Sequence, residues 1–162
     1  MKREKIGYWD ALTKDEIAEF LRDEVTCRLG MSLNDRPYVV PLAYVYDEGR
    51  IYVHWYGGRG IKVEYAAKNP KACFEADIYS KNHLFWKSII ATGTIRKVTD
   101  VSEKRKALEL FCAKYPELAS GAGHPRIVKF IMQKGMSIMA RFAHIYEFVP
   151  EEMTGVIQDL KE

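Results

Sequence analysis

The sequence predicts an α+β domain, mainly β, built around an antiparallel barrel. Three observations carry that expectation. Short runs of β-branched and aromatic residues are joined by hairpin-length turns without crossover helices. Aromatic residues make up 12% of the chain, and such rings favour strands and also suit a planar ligand. Helical periodicity is confined to the start, to the stretch after the third strand and to the region before the last one, which leaves six strands to pair mostly as hairpins.

Each element follows from local residues. Thr13, with Glu16 three positions on, has the spacing of a capping box, and Ile17, Phe20 and Leu21 share one face of a helix of about three turns. Thr26 to Leu33 reads as a strand broken at Asn34-Asp35-Arg36-Pro37. PYVVPLAYVY is the next, and Pro41 within it requires an edge position or a bulge. Asp47 to Arg50 is a hairpin turn and IYVHWY returns from it, so residues 36 to 56 form a meander rather than a βαβ unit. GGRGIKVEYAAKNP sets three glycines before a helical patch carrying Val63, Ala66 and Ala67 and stopped before Pro70.

ACFEADI from Ala72 and FWKSIIATGTIRKV from Phe85 are two further strands, the second with a bulge expected at Gly93. Ser102 to Tyr115 is an amphipathic helix expected to turn Leu108, Phe111 and Cys112 inward and to leave Lys104, Arg105 and Lys114 in water. A short helix is expected over Pro125 to Lys134. A closing strand is expected over Ser137 to Val149, with Ile138, Ala140, Phe142 and Tyr146 on alternating faces.

Composition removes whole classes of function. At 162 residues the chain is expected to form a single domain over 1–162, and 48% hydrophobic with 29% charged content excludes a disordered or fibrous protein. Lys plus Arg is 25 against 22 Asp plus Glu, a net charge of +3, too balanced for gripping a phosphate backbone, so no nucleic-acid partner is expected. Cys27, Cys73 and Cys112 are odd in number and far apart, which reads as reduced thiols in a cytoplasm. The charged opening has no leader character and no window approaches the roughly 18 apolar residues of a membrane span, so a cytoplasmic location away from membranes is expected.

No metal site is expected: His54, His83, His124 and His144 have no ligand spacing between them, and there is no Cys-x-x-Cys. A G-x-S-x-G elbow and a Walker lysine motif are absent, and Gly58-Arg59-Gly60 lacks the third glycine of a dinucleotide fingerprint because Val63 stands there. What remains is His54 to Lys62: a strand end, a glycine turn and two cations, Arg59 and Lys62, before a helix start. A terminal phosphate fits such a turn. A plain solvated turn fits it equally well. On the residues alone, Ser88 is a small filler and His54 a hydrogen-bonded barrel residue.

The ordered set RPYVVPLAYVYDEGRIYVH, G-x-K after a short loop, KNPKACFEAD and WKSIIATGTIRKV before a Glu/Lys-rich helix resembles the pyridoxamine 5′-phosphate oxidase-related FMN-binding split barrels. Within them it is most similar to the nitroimidazole-resistance (Nim-like) branch. The resemblance runs from about Val25 to Tyr115, with an echo at EEMTG. It implies a six-stranded antiparallel Greek-key split β-barrel with flanking helices, dimerising around two FMN clefts shared between subunits.

Residue by residue, the resemblance makes Lys62 the phosphate-binding lysine, with Gly60 and Ile61 supplying backbone contacts. Val39, Val40, Pro41 and Leu42 match the strand along which the isoalloxazine ring lies. His54 and Trp55 match the strand end beside the ribityl chain and ring, and Ser88 a polar contact from the partner subunit. Two positions depart from the pattern. Ile61 stands where a basic neighbour of the lysine is common, so Arg59 is the expected substitute, and Val156 stands where a lysine often follows Thr-Gly.

The expected function is a homodimeric FMN oxidoreductase moving electrons or hydride from a reduced nicotinamide to a small oxidant such as a nitro compound or quinone. His54 is its candidate proton donor, with a purely pocket-shaping role equally open. The alternatives are a non-catalytic flavin or haem carrier of the same fold, and a barrel stacking single-stranded nucleic acid on its Tyr and Trp faces.

Overall fold

The computed structural model describes residues 4–6, 8–55, 57–119 and 135–160. Along the chain run β1 (Lys5–Ile6), β2 (Trp9–Ala11), α1 (Lys14–Asp23), β3 (Thr26–Leu33), β4 (Arg36–Asp47), β5 (Arg50–His54), α2 (Ile61–Lys68), β6 (Lys71–Tyr79) and β7 (Phe85–Lys97). Then come α3 (Val101–Lys114), α4 (Pro116–Ala119), α5 (Met136–Phe142) and β8 (Ile145–Asp159). The expected helix over residues 125–134 lies outside the described residues.

The six long strands pair in the order β8-β5-β4-β3-β6-β7, and β7 pairs back onto β8, so an antiparallel ring closes. Two hairpins in it are two-residue turns through left-handed backbone, at Asn34-Asp35 (φ 50 and 60°) and Glu48-Gly49 (φ 47 and 86°), the geometry that suits the twist of paired strands. The ring is split along one side. β5 bridges β4 at residues 44–47 to β8 at 145–148, but beyond it residues 36–43 of β4 and 149–159 of β8 have no strand between them. Pro41 lies in that half-paired stretch, where its missing N–H leaves no gap in the ladder.

Helix α1 fills the split. Thr13 caps it, with the Glu16 carboxylate accepting back from the Thr13 N–H at 2.8 Å, and Ile17, Phe20 and Leu21 enter the barrel cluster. The Leu12 N–H donates to the Gly155 carbonyl at 2.8 Å, and a methyl at Gly155 would come within 3.0 Å of Leu12 and Ile17. The barrel interior alternates along every strand, with Leu29, Tyr44, Ile51, Phe74, Ile89 and Phe148 all fully buried. Each such side chain contributes on the order of 1.5–3 kcal/mol.

A second cluster lies outside the ring, where Val45, Tyr52 and Ile145 meet Ala107, Leu108 and Phe111 of α3 and Ala140 of α5. The expected exposure of the α3 lysines is corrected here. Lys104 is only 9% exposed, and Lys114 turns inward to donate to the Leu21 and Glu24 carbonyls at the end of α1, 4.4 Å from the centre of the Tyr44 ring. Burial lowers its pKa to about 8. Tyr115 donates to the Val25 and Tyr44 carbonyls, so the end of α3 is tied to both α1 and β4.

The closing strand is the larger correction. Met136 to Phe142 is helical, entered through Gly135 at φ 96°, and the strand begins only at Ile145 but continues to Asp159. The apolar spacing of SIMARF is compatible with either form. What decides is length: β8 is held by β7 along almost its whole run, far beyond the reach of β5. β1 and β2 are a further addition, a short antiparallel pair laid on β8 through Asp10 and Ala11.

The expected bulge is present: Thr92 pairs with Glu152 but Gly93 with Pro150, leaving Glu151 over. A Cβ at Gly93 would fall 2.1 Å from the Val149 carbonyl oxygen, a backbone atom that cannot turn aside. Gly93→Ala is expected to cost on the order of 3 kcal/mol, read as a lower urea midpoint at unchanged slope.

Candidate functional site

β5 sorts the candidate residues by alternation. Ile51, Val53 and Trp55 point into the barrel, whereas Tyr52 joins the outer cluster and the His54 ring lies 6.2 Å from that of Phe111 on α3. His54 and Trp55, matched together to one cofactor edge, therefore leave the strand on opposite faces. Trp55 is fully buried and stacked on Tyr146 with 3.7 Å between ring centres. Its indole N–H finds no acceptor among the described residues.

Beyond Trp55 the chain turns through Gly57 (φ 72°) and Gly60 (φ 109°) into α2. The conformation at Gly60 is one that side chains rarely adopt, and from it the Val63 and Glu64 amides return to the Gly60 carbonyl. That turn sends Lys62 back over the Trp55 ring, 5.7 Å from its centre. Burial lowers the Lys62 pKa, because no carboxylate among the described residues meets its ammonium group. Ile61 is 55% exposed beside it. Arg59 is exposed and pairs with no other described residue.

A cationic end of the barrel results, whose polar groups are nearly all donors: the Lys62 ammonium, the Arg59 guanidinium and the Trp55 indole N–H. Donor-only surroundings suit a phosphate and a ring carbonyl. The residues present thus fit the phosphate and ring of an FMN moiety.

The β4 candidates split by face. Val39 is 62% exposed and Pro41 exposed on the outside, whereas Val40 is half-buried and Leu42 buried within. Because this half of β4 is hydrogen-bonded only to β3, alternate backbone groups of Val39 to Leu42 project from an open edge. Ser88 is half-buried on β7, registered between Asp77 and Val156 and two strands removed from β4. It lies on the outer face, with 49%-exposed Ile90 one position along and the Pro41-Arg28-Glu75-Ile90 row running across the sheet. Arg28 bridges Glu75 and Asp77 in that row.

One neighbour of the turn was not legible in the sequence. A methyl at Gly58 would meet the His144 ring at 2.9 Å, and the His144 carbonyl accepts the Trp55 N–H at 3.0 Å. Burial and then the charges of Lys97 and Lys104 lower the His144 pKa, so its imidazole sits neutral against the turn at pH 7. Its position depends on where β8 begins, which the periodicity of residues 137–149 misplaces.

No described helix is long and apolar enough to cross a membrane, and no group of three metal-ligating side chains occurs among the described residues.

Comparison with known proteins agrees with this architecture. An uncharacterized protein of Rhizobium meliloti is 30% identical over 71 residues, so the chain spans a little under half of that relative, 45%, and the alignment takes in 44% of this chain. A FAD-binding protein of Mesorhizobium loti superposes with a TM-score of 0.70 at 18% identity, over 94% of this chain and 100% of that one. A candidate 5-nitroimidazole antibiotic resistance protein of Bacteroides thetaiotaomicron gives 0.66 at 19% identity, over 97% and 95%. At these identities the likeness is one of fold. Residues 13–156 match the pyridoxamine 5′-phosphate oxidase family, from the cap of α1 to the last turn of the ring, and the chain belongs to that family.

Proposed function

We propose that this chain binds a flavin through its FMN moiety, in clefts shared by two copies, and passes electrons from a reduced nicotinamide to a small oxidant such as a nitro compound or a quinone. The observation that carries this reading is the donor-only end of the barrel, where Lys62 and the Trp55 indole N–H stand without acceptors among the described residues. A bound flavin supplies the redox chemistry. Lys62 binds its phosphate, with Arg59 completing the charge in place of a cation at position 61 and the Gly60 and Ile61 backbone beside it. The open edge of Val39 to Leu42 orients the ring, and Trp55 closes the wall behind Lys62 against water. The family membership and the FAD-binding name of the Mesorhizobium loti protein support a flavin.

Ser88 faces away from the turn on its own chain, so its contact with the cofactor comes from a second copy. Val39 and Ile90 leave apolar surface on the same outer sheet face, which suits burial between two barrels. The protein is expected to scatter light as a dimer. A monomer holding one tightly bound flavin would remove Ser88 from the site.

Reversal of charge in Lys62→Glu removes a charge-assisted contact of about 1.5–3 kcal/mol, so flavin affinity is expected to fall by at least tenfold with the fold intact. Co-purified flavin, quantified by absorbance after heat release, checks this. Affinity also carries a pH signature. The free ammonium has a lowered pKa and the phosphate favours its charged form, so binding takes up a proton at alkaline pH and weakens as pH rises. Lys62→Arg, charged throughout, is expected to flatten that fall.

The alternation of β5 favours a wall-forming His54 over a proton donor. His54→Asn is expected to keep both its flavin and its rate with a nitro or quinone acceptor. A general acid contributes about 100-fold or more, so a loss on that scale with flavin still bound would make His54 catalytic. A flavoprotein that stays oxidised under excess NADH and NADPH would be a carrier.

A further inference from the structure

A cleft of about 590 Å³ opens beside the turn, lined by Leu33, Asn34, Arg36, Ile61, Glu64 and Tyr65. It lies between the β3–β4 hairpin and the first turns of α2. The tight Asn34-Asp35 turn places Leu33 and Arg36 opposite each other at its rim. Its parts have distinct chemistry. Leu33 and Ile61 are apolar, and Ile61 is 55% exposed there, a branched aliphatic side chain left uncovered at the mouth. Tyr65 is braced edge-on against Tyr38, with 5.5 Å between ring centres, which holds its ring in one orientation.

The charges in the cleft are unequal in their availability. The Glu64 carboxylate accepts from Lys68 at 2.7 Å, whereas Arg36 makes no hydrogen bond or ion pair with another described residue. One uncompensated guanidinium, an aromatic ring, an apolar wall and the Asn34 amide together suit a purine nucleotide: base between ring and aliphatic wall, phosphate on the fork of Arg36. The cleft also adjoins the proposed phosphate site. Ile61 lines it, and Lys62 follows Ile61 at about 100° further round α2, over Trp55. A diphosphate could not ask for two cations on nearer elements of this fold.

We propose that this cleft binds the adenylate half of a dinucleotide flavin, so that the chain prefers FAD to FMN. The proposal rests on the flavin reading above and deepens it: Lys62 holds the phosphate shared by both cofactors, and Arg36 holds the one that only the dinucleotide carries. The affinity difference between the two flavins is then a property of Arg36, which touches no part of FMN.

The test is titration of flavin-stripped protein with FMN, FAD and ADP, followed by flavin fluorescence for the first two and by calorimetry for ADP. The wild type is expected to bind FAD at least tenfold more tightly than FMN, and to bind ADP on its own. Arg36→Glu is expected to bring FAD down to the level of FMN and abolish ADP binding, leaving FMN affinity unchanged, and Arg36→Lys to recover part of the preference. Arg36 is exposed on a hairpin, and an unchanged thermal midpoint would show that its variants fold. FAD binding no tighter than FMN, or a preference indifferent to Arg36→Glu, overturns the proposal. Binding of ADP with neither flavin bound would overturn the flavin reading and leave the nucleotide cleft standing; binding of FMN without ADP or any FAD preference would do the reverse.

Discussion

The pairing of β7 with β8 holds the molecule together. β8 is the one strand that touches β5, β7 and the β2 edge, and without it the meander from β3 to β7 is an open sheet. The bulge at Gly93 lets so long a pair bend around the ring, because the residue left over at Glu151 kinks the strand where the wall must curve. Everything at the cationic end follows from this closure. β8 brings Tyr146 beneath Trp55 and His144 against Gly58, which fixes the floor under Lys62.

Burial and charge act against each other at two lysines, with different outcomes. Lys114 enters the protein but finds two carbonyl oxygens and a Tyr44 ring, so its stem and head both tie α1 to α3. Lys62 is partly desolvated over Trp55 and finds only a ring face. The first arrangement is complete within the chain. The second is complete only with an anion, and that difference separates a structural lysine from a binding one.

Much of the architecture was legible in the sequence, because its signals are local. The capping box at Thr13, the hairpin turns at Asn34 and Glu48 and the bulge at Gly93 each act within a few residues. The start of β8 was not, since Met136 to Phe142 has an apolar pattern that a helix and a strand can share, and only pairing with a strand some fifty positions earlier decides it. The inward turn of Lys114 was hidden for a similar reason: its partners, Leu21 and Glu24, belong to another helix. At the site, Lys62 and the glycine turn were legible from spacing and resemblance. The opposite facing of His54 and Trp55 is a matter of strand parity that adjacency in the sequence conceals, and His144 reaches the turn only through closure of the ring.

That β8 is both the closing strand and the latest in chain order has a bearing on how the protein is made. During elongation, β3 to β7 emerge first and pair locally, yet the floor beneath Lys62 is assembled from Tyr146 and His144, which follow by roughly eighty residues. At a ribosomal pace of about 5–20 residues per second the turn waits several seconds for its support, with the half-paired edge of β4 exposed meanwhile. Cofactor capture is therefore a late event in biogenesis, coupled to the final closure of the wall rather than to the folding of the segment that carries the lysine.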